Sequence, residues 1–278
     1  MDNQVALDAL VAKAALGDMV FPTHADIALR VRRALDNPDC AISELSKLIS
    51  AEPILSTKVV SIANSVAYNP SGRAVSDVRS AVSRLGFTTL RSMATAVIVR
   101  QMEGMAHSSE HLALAHRLWE HSANVAALAR VIARHVTKQD PEAAFFAGIV
   151  HEVGGFYLIS RAAEFPGLLE NGLEAWHNDT EAKLGHIVLR ALDVPENILG
   201  AIESLWGGYL AMPATSLGDT LLLADQLSPV ESPLAELSGM GKQGMLADIE
   251  LLVDGETLTS ILADSAEELA SLTATLNS

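Results

Sequence analysis

Four side chains in this sequence combine the types that hold a divalent ion and activate water: His121, the adjacent pair His151-Glu152, and Asp225. Neutral imidazole nitrogens and anionic carboxylate oxygens suit zinc, manganese or iron, and an ion so held acidifies water for attack on an ester. Spacing alone is a weak signal, because nine histidines are scattered through the chain. A buried histidine hydrogen-bonded to a carbonyl is the commoner arrangement. The single cysteine, Cys40, removes every cysteine-rich metal scheme and any internal disulfide, and a reducing, cytoplasmic compartment is the setting expected for such a chain.

The other polar candidates have plainer readings. His24, His107, His111, His116 and His135 have no carboxylate at diagnostic spacing and read as surface histidines. His177 and His186 could join a site, but a solvated helix end is the commoner outcome for both. Met93, Met102 and Met105 fall at core-packing intervals. Trp119 and Trp206 read as anchors between helices, whose indole N–H groups need partners if buried. Asn64-Ser65 reads as the last turn of an apolar helix.

Placing those candidates requires helices, and the sequence offers little else. Apolar residues make up 49% of the chain while aromatics supply only 4%, the composition of close-packed Ala, Leu, Val and Ile helices. No segment alternates with period two long enough to form a sheet. Apolar stripes at three- and four-residue spacing predict helices over 2–16, from the Thr23 cap to Leu35, from Ser43 through Ile49, and from Pro53 to Ala63. A helix capped at Ser76-Asp77 is stopped by Gly86, and the helical period resumes from Leu90 to Gly104. A long helix over 112–136 carries His121. Asp140-Pro141-Glu142 is a helix start with cap, proline and first-turn acid. The segment it opens, 143–160, is apolar nearly all round and is expected to be one buried helix carrying His151 and Glu152. Further helices are predicted near 168–177, 181–192, 196–205 and 217–227, the last bearing Asp225. The tail beyond Val230 holds nine carboxylates and one lysine, yet keeps enough leucine and isoleucine to be helical and packed back.

Three runs carry a resemblance. The first is Phe21-Pro22-Thr23, Asp36-Asn37-Pro38-Asp39, Glu44 to Ile49, Glu52 to Val60, Ala63-Asn64-Ser65-Val66-Ala67-Tyr68 and Ala81 to Gly86. The second is Leu118-Trp119-Glu120-His121-Ser122 with Ala144 to Gly155, and the third is Leu223-Ala224-Asp225-Gln226-Leu227. Together they resemble the HDOD family, the HD-related output domains of bacterial signalling proteins, over roughly residues 15–230. That resemblance implies an all-α, multi-helical HDOD fold with an N-terminal helical part (1–110) packed on an HD-like helical part (111–230), followed by an acidic helical extension (231–278). It also places His121, His151, Glu152 and Asp225 on the four ligand positions of the HD metal site.

The departures from the family pattern matter for function. The HD pattern has Asp where this chain has Glu152, a carboxylate pushed about 1.5 Å further out by one methylene. Gly154-Gly155 supplies no lysine, Glu181 stands where a histidine is usual, and Leu205-Trp206 stands where a histidine pair is often found. The second set of ligands for a two-metal clamp is missing. The resemblance therefore implies a bacterial signal-transduction module with a degenerate site, acting through contacts with other signalling proteins. The alternative it leaves open is a single-metal phosphohydrolase acting on a phosphate ester or nucleotide. No cofactor is expected beyond the one zinc, manganese or iron ion that a weakened site could hold.

Charge points the same way. Thirty-four acids against nineteen bases give −15, and the imbalance is local: residues 1–100 hold eleven bases and nine acids, residues 101–278 eight and twenty-five. So acidic a surface repels phosphate backbones, and no nucleic-acid partner is expected. Asp2, Asp8, Lys13 and Asp18 interrupt any N-terminal apolar run, and no uncharged stretch reaches the ~18 residues of a membrane span, so no membrane association is expected either.

Overall fold

The computed structural model describes residues 3–277 apart from 18, 20–24, 36, 38, 170–172, 212 and 240–254. The expected Thr23 cap and His24 lie outside the described residues. Every regular element among those described is a helix, as the aromatic-poor composition led one to expect.

In the N-terminal half, α2 (Ala25–Leu35), α3 (Ile42–Ser50) and α4 (Pro53–Asn64) pack on α5 (Val78–Glu103), while α1 (Asn3–Ala15) crosses over to lie on a helix of the other half. Leu45, Ile49, Leu55, Val59 and Ile62 are fully buried on the inward stripes. Pro53 occupies the first turn of α4, and the Glu52 carboxylate accepts the Leu55 N–H as its cap. Asp77 caps α5 by accepting the Ser80 N–H at 2.9 Å. At Gly86 the backbone swings to φ 74°, ψ 173°, a conformation open to glycine, so the expected break is a kink within α5. Ser43 does not open α3; the preceding residue of that helix is Ala41, and no side chain caps it.

The second half is built around α6 (Ser109–Ile132), which runs into a π turn at Ala133–Thr137. It packs on α7 (Pro141–Val150), α11 (Leu217–Leu227) and α14 (Ala266–Asn277). Asp140 caps α7 as expected, accepting the Glu142 N–H at 2.8 Å. The apolar segment then departs from expectation: α7 ends at Val150 and α8 (Val153–Arg161) begins at Val153, with Glu152 at φ −96°, ψ 14° between them. Adjacent residues on an unbroken helix diverge by about 100°, so this break is what lets His151 and Glu152 serve one site. By length and composition Pro141–Glu164 would suffice to cross a membrane, but 94% of that window is buried inside the fold. The described residues of 168–177 do not form the expected helix, and residues 170–172 lie outside the described residues. Gly167, at φ 86°, turns the chain, and a single π turn forms at Trp176–Thr180. α9 (Glu181–Ala191) and α10 (Glu196–Gly207) precede α11. Beyond it come the short α12 (Pro233–Leu237), α13 (Gly255–Asp264) and α14, which packs back on α4 and α6.

Candidate metal centre

The candidate site forms beside a close approach of α6 and the end of α7. Gly148 makes the approach possible: a Cβ there would lie 2.4 Å from the Ala126 Cα of α6. One turn beyond it, His151 folds back and its Nδ1–H donates to the Gly148 carbonyl at 2.8 Å. His121 on α6 donates its Nδ1–H to the Val230 carbonyl at 2.8 Å. Both rings are thereby fixed as Nδ1–H donors, which turns the two Nε2 atoms toward each other at 3.2 Å. The ordinary fate of a buried histidine, a carbonyl bond, and a ligand geometry coexist here because each ring has two nitrogens.

Two Nε2 lone pairs facing at that distance repel unless a proton or a cation lies between them. Asp225, on α11, brings Oδ1 to 3.2 Å from the His121 Nε2. Burial would lower the His121 pKa, but the hydrogen bond and charge of Asp225, with the charge of Glu152, outweigh it and raise it. His151 goes the other way, pushed down to about 4 by burial and by the neighbouring His121. Without an ion, a proton shared by the two rings therefore favours His121 over His151, where it can be directed at the partner nitrogen and at Asp225. Glu152 is pushed up to about 7 by burial and by the charge of Glu181.

The arrangement fits a single divalent ion in part. Adjacent ligand atoms bonded at about 2.0–2.1 Å lie roughly 3 Å apart, and 3.2 Å separates the His121 nitrogen from both the His151 nitrogen and the Asp225 oxygen. Ligand atoms of His121, His151 and Glu152 also fall within 4.8 Å of one another. Glu152 is the loose member. Its Oε1 stands 4.0 Å from the His121 nitrogen and already accepts the Ser232 hydroxyl at 2.6 Å.

The chain after α11 closes over this cluster. Ser228 donates its hydroxyl to the Val230 carbonyl at 2.8 Å, the same oxygen that holds His121. Two residues on, Ser232 holds Glu152, and Leu234 is fully buried beside Gly155, where a Cβ would come 2.4 Å from its Cδ1. His121, His151 and Glu152 are buried, and the Asp225 side chain keeps 21% of its surface. Neither Val230 nor Ser232 was singled out from sequence. Val230 acts through its backbone, and Ser232 lies beyond the resembling runs with no neighbouring signal of its own.

The remaining candidates divide cleanly. His107, His116 and His135 are exposed and His111 half-buried, away from the cluster. His177 is not a solvated helix end: it is half-buried, with Nδ1 at 2.5 Å from Glu181, and its pKa is raised by that carboxylate against the cost of burial. Glu181, at a position where the resembled family usually has histidine, thus takes a histidine partner of its own. His186 pairs with Glu203 at 2.9 Å and lies beside the Trp206 ring. Trp206 fills the space over Gly185, where a Cβ would come 2.5 Å from the ring. Trp119 finds its indole partner in the Leu276 carbonyl at 3.2 Å. Met93 and Met102 are in the core. Asn64 does more than end α4, since its amide pairs with both backbone groups of Val75 at 2.7 and 2.8 Å and pins the connection to α5.

Two imidazoles and two carboxylates, from α6, the α7–α8 turn and α11, are gathered around one point of an all-helical fold. The HDOD domain profile matches residues 21–204, and the chain belongs to the HDOD family. The fold is shared with solved structures of low sequence identity. A candidate metal-dependent phosphohydrolase from Shewanella amazonensis SB2B is 22% identical, with a TM-score of 0.74 over 99% of this chain and 100% of its own. An HDOD domain protein of unknown function from Geobacter sulfurreducens is 21% identical, with a TM-score of 0.60 over 99% and 98%. A candidate signal transduction protein from Marinobacter aquaeolei VT8 is 19% identical, with a TM-score of 0.60 over 100% of this chain and 67% of its own. No curated protein matches the chain significantly.

Proposed function

We propose that this protein is a non-catalytic signal-transduction module that acts through contacts with other signalling proteins, and that its HD-type centre serves structure. The observation that carries this reading is the closure of the centre by residues 228–234. The carbonyl that orients His121 and the hydroxyl that holds Glu152 both come from that segment. With that segment in place, His121, His151 and Glu152 are buried. If an ion binds, His121, His151 and Asp225 would hold it, with Glu152 as a weak fourth ligand. It would then tie α6, the α7–α8 turn and α11 together.

Melting curves with and without chelator, on protein purified without chelator, test the structural ion. The expected result is a lower melting temperature after chelation and in His151→Ala, with no hydrolysis of bis(p-nitrophenyl) phosphate by zinc-, manganese- or iron-loaded protein. Identical melting curves would remove the ion. Turnover abolished by His121→Ala would overturn the non-catalytic reading.

One observation favours the alternative, a single-metal phosphohydrolase: the 3.2 Å spacings of His121 from His151 and Asp225 suit adjacent ligands of one ion. A bound ion would supply acidified water there. The same turnover assay separates the two readings.

A further inference from the structure

A second site lies away from the HD-type centre, where α4, α5, α6 and α14 meet. It is a cavity of about 180 Å³ walled by Met93, Val97, Trp119 and Leu276. A buried apolar cavity of about 150 Å³ is large enough to hold benzene. What distinguishes this one is the polar chemistry on its wall. Gln101 lines it with both amide atoms shielded from solvent and with no hydrogen-bond partner among the described residues. Orphaned buried amide groups are costly, and a ligand that bonds them removes the cost.

Two cations share that wall. The Arg100 guanidinium lies over the Trp119 ring, 5.6 Å from its centre. Lys58 donates to the Thr275 and Leu276 carbonyls, each at 3.0 Å. Burial lowers the pKa of both, and the charge of Arg100 lowers that of Lys58 further. Glu103 meets Arg100, and Glu120 also acts on it, so part of its positive charge is offset. Two half-buried cations that repel each other, next to an unpartnered amide donor, complement an anion.

We propose that this cavity binds a small amphipathic monocarboxylate, with a benzene-sized body against Trp119 and Val97 and its carboxylate toward Arg100, Lys58 and the Gln101 amide. Such a ligand would touch the N-terminal half, α6 and the last helix at once, and so would supply the chemical input that a signalling module requires. The site shares no residue with the HD-type centre and stands whether or not that centre holds an ion.

Calorimetric titration of the full chain with phenylacetate, 2-phenylethanol and 2-phenylethylammonium, in the presence of chelator, tests this. All three carry the same body and differ in the charge of the head. Saturable one-to-one binding of phenylacetate is expected, at least tenfold tighter than the alcohol, with no binding of the ammonium. Val97→Phe, which fills the cavity, should abolish binding, and Gln101→Leu should bring the acid-to-alcohol ratio toward one. No saturable phenylacetate binding, equal affinity for acid and alcohol, or unchanged binding by a folded Val97→Phe protein would each overturn the proposal. If Val97→Phe fails to fold, the acid-to-alcohol ratio in the unaltered chain and its change in Gln101→Leu decide. Because chelator is present throughout, failure here leaves the reading of the HD-type centre untouched.

Discussion

His121 and His151 owe their mutual orientation to two carbonyls, and the Glu152 carboxylate owes its place to one hydroxyl. The last bond exposes how a single methylene changes the centre. With Glu where the family pattern has Asp, the carboxylate stands 4.0 Å from the His121 nitrogen and accepts the Ser232 hydroxyl at 2.6 Å. Removing that hydroxyl leaves a buried oxygen short of its donor, so Ser232→Ala should cost about 1–3 kcal/mol, read from the urea midpoint. Residue types and resemblance made the four candidate ligands legible in the sequence. Their supports were not, because a backbone carbonyl such as Val230 leaves no trace in residue identity, and Ser232 acquires its meaning only when a distant segment folds over Glu152.

At the level of helices, the legible features were local ones. The caps at Asp77 and Asp140 and the swing at Gly86 depend on residues within one turn. The break at His151-Glu152 was not legible, since no proline marks it, and the flanking Gly148 and Gly154-Gly155 lie inside runs that are apolar on both sides. Gly148 shows how one position sets the distance between two rods. Gly148→Val should force α6 and α7 apart at a cost of about 1–3 kcal/mol or more, whereas Gly200→Ala, with nothing within 4 Å of its added carbon, should stabilise α10 by about 1 kcal/mol; equilibrium unfolding of the two variants gives the contrast. Asp219 anchors α11, and so Asp225, by a capping box with Ser216 and by accepting the Ala211, Thr215 and Ser216 N–H groups at 2.9, 3.1 and 2.8 Å. Burial opposes ionisation, but the Ser216 hydroxyl and those N–H groups hold the carboxyl below its ordinary value. A depressed folded-state value means the stabilisation is complete above the ordinary carboxylate range of about 4 and is lost as pH falls through the folded value. Asp219→Asn should therefore lower the melting temperature at neutral pH and flatten its decline on acidification, seen in melting curves from neutral pH downward.

Across the whole molecule, one polar network joins regions that the sequence could not connect. Tyr68 and Thr89 from the N-terminal half donate to Glu142 at 2.5 and 2.8 Å, Glu142 accepts from Arg130 at 3.2 Å, and Arg130 also meets Glu268 of α14, which takes Arg134 at 3.0 Å. The Arg130 guanidinium covers the Tyr68 ring at 4.6 Å. Arg130→Met would take a shared partner from two half-buried carboxylates, which keep Tyr68, Thr89 and Arg134, so it should cost about 1.5–3 kcal/mol; chemical unfolding of the variant measures it. Residues 231–278 looked like an acidic surplus in the sequence, yet Glu268 is a structural counter-charge, which only the fold reveals. The outermost described helices cross in opposite directions: α1 lies on α9, with Lys13 at 3.0 Å from Glu164, while α14 lies on α4 and α6. Each half is thus clasped by the far end of the chain. The consequence is kinetic. Neither half can complete its surface from its own residues, so both must close together through contacts of long sequence separation, which slows folding. Far-UV circular dichroism and tryptophan fluorescence should accordingly trace one coincident unfolding transition, not two.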